Sequence, residues 1–360
     1  MKYFIGLFFI LLFLSGCNSS TPDNAPEERR DITACNTSID AEDDPATVAA
    51  WKQVKQETFP NIYVADEWEN PELIEGDVNT IGWEDSAYIS ADGETLSFFY
   101  LRGDLLNIAG ILKYYTPVDQ GGLGGDPRQF STYHRGPSRG VTPLYTSDSF
   151  HAQKIGDTFC NVEKFTYSKD GENEWGLMQA ANGDWYSVSH TQDNMDLYKN
   201  GERLPIPGAD QYKEDNPHSI ETAYGKELFF DSLDDEKGDP TSRGGLWVTR
   251  YVDGAWTEPE ALAPPLQFPA DNQPFLTTEG TLYFTSARDS TLSVWKSTRT
   301  GKNSWTEPTK VIGPPKSPGY GVWGIGEATL PADGTWIYFV TVFENEKGEH
   351  DADVGRVKRK

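Results

Sequence analysis

Alternating apolar and polar positions, punctuated by glycine, give the strongest signal in this chain. Asp92-Gly93-Glu94-Thr95-Leu96-Ser97-Phe98 places a tight turn before a strand with large apolar side chains at every second position. The pattern recurs as Tyr224-Gly225-Lys226-Glu227-Leu228-Phe229-Phe230 and as Asp333-Gly334-Thr335-Trp336-Ile337-Tyr338-Phe339. A shorter copy reads Glu279-Gly280-Thr281-Leu282-Tyr283-Phe284, and a weaker one reads Asn182-Gly183-Asp184-Trp185-Tyr186. Glycine supplies the positive φ of a hairpin turn, and aromatic residues then pair across strands. Each turn is followed at a distance by a short apolar start, Leu197-Tyr198, Leu246-Trp247 or Val294-Trp295. A closing motif, Trp256-Thr257-Glu258-Pro259 or Trp305-Thr306-Glu307-Pro308, completes the unit. Strand, hairpin, strand, strand, strand is a four-stranded propeller blade, so the expected fold is all-β.

The motif glycines lie at 93, 183, 225, 280 and 334, separated by 90, 42, 55 and 54 residues. The last three intervals suit one blade each. The first holds either an insertion or a degenerate blade, and five blades with an insertion over 117–150 is the preferred reading, six the alternative. Trp68-Glu69-Asn70-Pro71 matches the closing motif but precedes the first blade, while the chain stops after Val354 to Val357, where a third strand falls. The N-terminal segment is therefore expected to supply the outer strand of the last blade and close the ring. Residues 45–56 read as a short helix, with Asp44 as N-cap and Pro45 at the first helical position.

Ahead of this domain, Lys2 precedes an apolar run from Tyr3 to Leu14, too short for a span of about 20 residues and suited to a secretory signal peptide. Leu14-Ser15-Gly16-Cys17 closely resembles the lipobox of bacterial lipoproteins. The resemblance implies cleavage after residue 16 and a lipid anchor on Cys17. Asn18 in the next position implies, by the sorting pattern of enterobacterial members, the outer membrane. Residues 17–44 form a polar tether, and 45–360 form the propeller. With Cys17 lipidated, Cys35 and Cys160 remain, either as a disulfide in an oxidising compartment or as separate thiols.

The repeats also resemble the WD40-like β-propeller repeat of secreted bacterial proteins, the periplasmic propeller of the Tol system among them, over roughly residues 60–357. That group includes scaffolds, peptidase-associated propellers and polysaccharide-acting enzymes, so the resemblance points to fold rather than activity. The formal net charge of −25 repels phosphate backbones and excludes nucleic acid as an expected partner.

Candidate chemistry gathers before the motif turns, where Asp85, Glu174, Asp215, Asp271 and Glu327 fall near the start of each blade's first strand. Three readings stand open. The acids set local turns, or they ring one channel mouth and bind Ca²⁺ or another ligand, or a pair among Asp85, Asp215, Asp271 and Glu327 serves as acid and base in glycan cleavage. His218 beside Pro217 is placed to reach the same mouth. Trp83, Trp175, Trp185 and Trp323 either form a sugar-stacking platform or pack between blades. The insertion carries Arg128, Tyr133, His134, Arg135 and Arg139, a basic aromatic stretch suited to an anionic ligand such as an acidic sugar. No zinc-peptidase helix motif or phosphate loop occurs, and no cysteine pair has zinc spacing. The leading expectation is a non-enzymatic, envelope-anchored propeller that needs no cofactor and binds a partner protein or an oligosaccharide. The alternative is a glycoside hydrolase or lyase.

Overall fold

A computed structural model describes residues 45–101, 104–106, 148–167, 173–191, 194–211, 213–232, 244–266, 268–315 and 321–360. The chain enters through helix α1 (Pro45–Thr58), a 3₁₀ turn, and two short strands, β1 (Tyr63–Val64) and β2 (Glu72–Leu73). The first blade comprises β3 (Trp83–Ile89), β4 (Thr95–Leu101), β5 (Asp148–Ile155) and β6 (Thr158–Lys164). The second comprises β7 (Asn173–Gln179), β8 (Trp185–Thr191), β9 (Asn194–Lys199) and β10 (Glu202–Arg203). In the third, β11 (Glu214–Thr222), β12 (Gly225–Ser232) and β13 (Gly245–Val252) are edged by β14 (Ala255–Trp256) and β15 (Glu260–Ala261). In the fourth, β16 (Asn272–Leu276), β17 (Thr281–Ser286) and β18 (Ser293–Gly301) are edged by β19 (Ser304–Trp305) and β20 (Thr309–Gly313). The fifth is β21 (Gly321–Thr329), β22 (Trp336–Glu344) and β23 (His350–Lys358).

The first strands β3, β7, β11, β16 and β21 pack in that order, and β21 returns to β3, closing a propeller ring. Among the described residues the strands form four sheets; β23 and β3 share one parallel bridge, Ala352 opposite Trp83, and parting the eight-stranded sheet there gives five units, the first completed by β5 and β6. The long glycine interval is thus an insertion between β4 and β5. The expected insertion runs three residues too far, since Asp148 to Phe150 already belong to β5. Residues 1–44 and the insertion's Arg128, Tyr133, His134, Arg135 and Arg139 lie outside the described residues. Among the described residues no helix is long and apolar enough to cross a membrane.

Closure follows the expected splice. Strand β2 lies antiparallel to β23, with Glu72 opposite Arg356 and Leu73 opposite Gly355, so the N-terminal segment becomes the outer strand of the fifth blade. Strand β1 pairs with β20 and adds an edge to the fourth blade. Trp68, Trp256 and Trp305 are all buried, each four residues before the next piece of outer strand. The proline of the closing motif carries no N–H, so the outer strand breaks there. The threonine hydroxyls of Thr257 and Thr306 substitute in the ladder, accepting from the Arg250 N–H at 3.1 Å and the Thr298 N–H at 2.9 Å.

The second strand of each blade is buried on both faces because a blade stacks on each side of it, which explains near-continuous apolar runs. On β12, Leu228 and Phe230 face the second blade, and Phe229 faces the fourth. On β22, Tyr338 turns toward the first blade while Ile337 and Phe339 turn toward the fourth. Helix α1 is pinned to the fifth blade by buried Trp51 and by Lys55, whose ammonium lies 2.7 Å from both Asp351 and Asp353. Burial alone would lower the pKa of Lys55, but the two carboxylates outweigh it and hold it raised.

Glu227, fully buried on β12, joins the third and fourth blades. It accepts from both terminal nitrogens of Arg299 at 2.6 and 2.9 Å, from Arg250 Nε at 2.8 Å and from Thr222 Oγ1 at 2.7 Å. Burial pushes its pKa up, and the Arg299 and Thr222 bonds with the guanidinium charges more than reverse this. Glu227→Ala leaves two largely buried guanidiniums without their shared carboxylate. We expect a loss of about 3–5 kcal/mol in urea unfolding. A loss below about 1 kcal/mol would show that the clamp is not what holds this joint.

Candidate functional site in the central channel

Each first strand carries a β-bulge at the same height in the ring. The ladders slip between Asp85 and Tyr88, Trp175 and Met178, Asp215 and His218, Asn272 and Phe275, and Gly326 and Thr329. At each slip one residue adopts left-handed backbone: Ser86 (φ 52°), Gly176 (59°), Asn216 (47°), Gln273 (54°) and Glu327 (59°). A bulge bends the strand and re-aims its side chains. All five of these residues line a central cavity of about 40 Å³. At roughly 10–15 Å³ per water, that holds a few waters and no sugar ring.

The bulge corrects the expected carboxylate ring. Glu174 and Asp271 lie two residues before it, Asp85 and Asp215 one before, and Glu327 occupies it. The five acids thus sit at three successive positions and do not ring one opening. The true equivalents of Glu174 and Asp271 are Glu84 and Glu214, with Ile325 in the fifth blade, all buried between blades. Asp271 accepts from Arg288 and Glu84 from Thr80 Oγ1.

Asp85, Asp215 and Glu327 do meet around the cavity, joined by Asp231 of β12, in a polar belt that crosses four blade joints. Trp175 Nε1 of the second blade donates to Asp215 Oδ1 of the third at 2.6 Å. Asp231 Oδ1 of the third accepts from Asn216 Nδ2 at 3.0 Å and from the Gln273 N–H of the fourth at 2.9 Å. Gln273 Nε2 donates to Glu327 Oε1 of the fifth at 2.5 Å. The carboxyl of Glu327 also lies close to that of Asp85 in the first blade. Asp85 also accepts from Trp83 Nε1 at 2.7 Å and the Ser86 N–H at 3.0 Å, and Asp215 from the Asn216 N–H at 2.8 Å.

Burial, then repulsion from Asp85, holds Glu327 well above the usual carboxylate range, so it keeps its proton. Burial and the charge of Asp231 likewise raise Asp215, and burial brings Asp231 up to about 6. Asp231 Oδ2 and Gln273 Oε1 have no hydrogen-bond partner. Among the described residues no group of three or more His, Cys, Asp or Glu side chains is placed to hold a metal ion, so the Ca²⁺ expectation finds no such ligand set.

His218 does not accompany Asp215 at the strand-start mouth. It lies beyond the bulge, beside a cavity of about 120 Å³ at the hairpin-turn end. Its Nε2–H donates to the Leu276 carbonyl at 2.8 Å, and Nδ1 accepts from the Tyr88 hydroxyl at 3.2 Å. Burial lowers its pKa to about 4 and keeps the ring neutral. Of the four tryptophans, Trp83 and Trp175 belong to the polar belt. Trp185 packs 5.0 Å from Phe165. Trp323 is 43% exposed near the start of β21, its ring edge-on to His350. Cys160 is buried and disulfide-bonded, and Cys17 and Cys35 lie outside the described residues. Sequence reading missed Glu84, Glu214 and Asp231; an acid directly after Phe229-Phe230 in an apolar strand was the available signal for Asp231.

No family model and no curated protein sequence matches the chain. Among solved structures it is similar to a glycoside hydrolase (10% identity, TM-score 0.48, covering 85% of this chain and 94% of that one). It is similar to an alpha-L-arabinofuranosidase from Lactobacillus brevis (12%, 0.45, 76% and 90%). It is also similar to a TolB-like protein from Agrobacterium tumefaciens (11%, 0.36, 76% and 90%).

Glu214 yields a test of the buried acids. Neither of its oxygens has a hydrogen-bond partner, and burial, then repulsion from Asp196 and Asp210 against the attraction of Arg203, raises its pKa to about 8. The folded state therefore keeps a proton that the unfolded chain has released. Its stabilisation is complete below the unfolded value near 4.5 and is lost as pH rises through about 8. Glu214→Gln cannot ionise, so its melting temperature should fall less than the parent's between pH 5 and 8.5. A residual slope should remain from Asp231 and from Asp351, whose pKa burial raises to about 7. Parallel profiles for parent and variant would reject this account of Glu214.

Proposed function

We propose that this chain is a lipid-anchored propeller of the bacterial cell envelope that binds carbohydrate without cleaving it. The lipobox at Leu14-Ser15-Gly16-Cys17 and the polar tether support the anchor on Cys17, and Asn18 supports the outer membrane. The observation that carries the binding reading is the state of the channel carboxylates. Asp85 and Asp215 are each bonded to the backbone N–H of the next residue, and Asp231 and Glu327 to the adjoining blade. Their cavity is too small for a sugar ring. Trp323, exposed near the start of β21, supplies a flat apolar face of the kind sugars stack on.

A thermal-shift panel of neutral and acidic oligosaccharides checks this, because a ligand of the folded state raises the melting temperature. For a saccharide held at the mouth, Trp323→Ala should weaken binding about five- to tenfold with the unliganded melting temperature unchanged. If no saccharide shifts the transition, a partner protein becomes the better reading. Loss of radiolabelled palmitate from Cys17→Ala, with the parent labelled, checks the anchor.

Glycan cleavage is a second reading, favoured by one feature. Glu327 keeps its proton beside Asp85, two carboxyl groups of the kind glycoside hydrolysis uses, although closer together than the 5–10 Å or so such pairs keep. On this reading Asp85→Asn and Glu327→Gln abolish release of reducing sugar at an almost unchanged melting temperature. On the binding reading the parent releases none, and the same substitutions lower the melting temperature by loosening the ring.

A further inference from the structure

The hairpin-turn end of the channel holds a second cavity, of about 120 Å³, to which all five blades contribute residues. Three rings part it from the polar belt. The Tyr88 hydroxyl of the first blade donates to His218 Nδ1 of the third at 3.2 Å, and His218 Nε2–H donates to the Leu276 carbonyl of the fourth at 2.8 Å. The first and third blades are not neighbours in the ring, so the first of these bonds crosses the channel axis. Phe275 packs 4.5 Å from the His218 ring and 5.8 Å from that of Tyr88. Tyr88 and Phe275 line both this pocket and the smaller cavity at the bulges, so the rings form a partition between the two.

Beyond the partition the pocket is apolar. Ile89, Ile220, Leu276, Leu330 and Pro331 contribute to its walls. Of the described residues that line it, Glu279 alone is ionised, and it lies exposed with its carboxylate bonded to Thr278 Oγ1 at 3.0 Å. His218 reports on the interior: burial brings its pKa down to about 4, so the surroundings that keep this ring neutral also disfavour charge on a ligand. Both nitrogens of His218 and the Tyr88 proton are spent within the partition. A buried water needs about two to four polar partners, so water deep in this pocket is held weakly. A cavity of about 150 Å³ lined by aliphatic and aromatic side chains takes up one benzene ring. The present pocket is close to that size and open on one side, where Ala91, Ala181 and Ala332, from the first, second and fifth blades, are exposed. Their small side chains leave the mouth clear.

We propose that this pocket binds a small uncharged aromatic molecule, one ring in size, seated against Phe275 and Tyr88. Offset or edge-on contact with those rings favours an aromatic ligand over an aliphatic one of equal volume. A sugar ring is disfavoured, because its hydroxyls would leave water and meet few donors or acceptors in return. The assignment does not depend on the carbohydrate reading above, which concerns Trp323.

The test is fluorine NMR of the full-length chain at pH 7 with three probes of one ring each: uncharged 4-fluorophenol, anionic 4-fluorobenzoate and cationic 4-fluorobenzylammonium. The phenol should bind, and the two charged probes should bind at least about tenfold more weakly. Ala181→Phe and Ala332→Phe each set a ring in the mouth from an exposed position. Together they should weaken the phenol at least about tenfold while the melting temperature stays that of the parent. Ile220→Phe, which fills the pocket from its wall, serves as a second block should the rim variants unfold. Absence of phenol binding up to its solubility, equal binding of all three probes, or full affinity for the phenol in the blocked variants would each overturn the assignment.

Discussion

A ring of stacked blades leaves no bare sheet edge only if both ends of the chain meet in one blade. Here β2 lies along β23, and the rest of the structure depends on that pairing. Without it the fifth blade would expose the backbone edge of β23 and uncover the apolar face built by Phe339, Phe343 and Val357. Helix α1 secures the same place. Its Lys55 ammonium sits between Asp351 and Asp353, on the strand that β2 completes. Phe59 stacks on Phe339 at 6.1 Å just beyond the helix. Such close passage sets its own demand: a side chain at Gly321 would collide with Thr58, and one at Gly355 with Phe59. Closure therefore joins three layers of cause: a pairing of backbones, a buried charge group, and two glycines that let helix and blade touch.

Inside the ring the bulges decide what the channel is. Five strands converge on one axis, and a bulge in each turns one residue inward on left-handed backbone. The inward residues are polar in four of the five blades, and buried polar groups must be bonded. Several bond one another across the joints, with Asp231 added from a second strand, while Asp231 Oδ2, Gln273 Oε1 and Glu327 Oε2 stay without a partner. The outcome is a belt that locks blade to blade. The same burial that makes the belt structural gives Glu327 its retained proton, which would also be the property of a catalytic acid. Size separates the two roles: the cavity beside Glu327 admits water and excludes a sugar.

The repeats were legible because their causes are local. A glycine with positive φ opens each hairpin, and a strand buried on two faces must be apolar along its length. Even the splice showed itself, since Trp68 copies Trp256 and Trp305 at the same offset from the strand that follows. The channel chemistry was read one residue out of register in several blades. Five different residue types, serine, glycine, asparagine, glutamine and glutamate, occupy the bulge, so no single letter marks it. The carboxylates ahead of the turns therefore fall on three different positions. Asp231 escaped notice because it arrives from the neighbouring strand.

The strongly acidic composition takes on a different meaning once the acids are placed. Many are buried, and those without a cation, such as Glu214, Asp215 and Glu327, are raised by burial and stay wholly or partly protonated near neutral pH. They contribute less negative charge than a count of residues implies. At Glu227 and Asp184 the bonds from cations outweigh burial, and both stay ionised. The difference between these two joints is informative. At Glu227 two guanidiniums converge on one carboxylate through close, directed bonds, beneath Tyr224 and away from solvent. At Asp184 two ammoniums compete for one oxygen, and the looser one opens onto a cleft. A clamp between blades is complete when its donors are spent. The Lys199–Asp184–Lys226 group is looser, with Lys226 at 3.9 Å from the shared oxygen and its ammonium also over the Tyr186 ring.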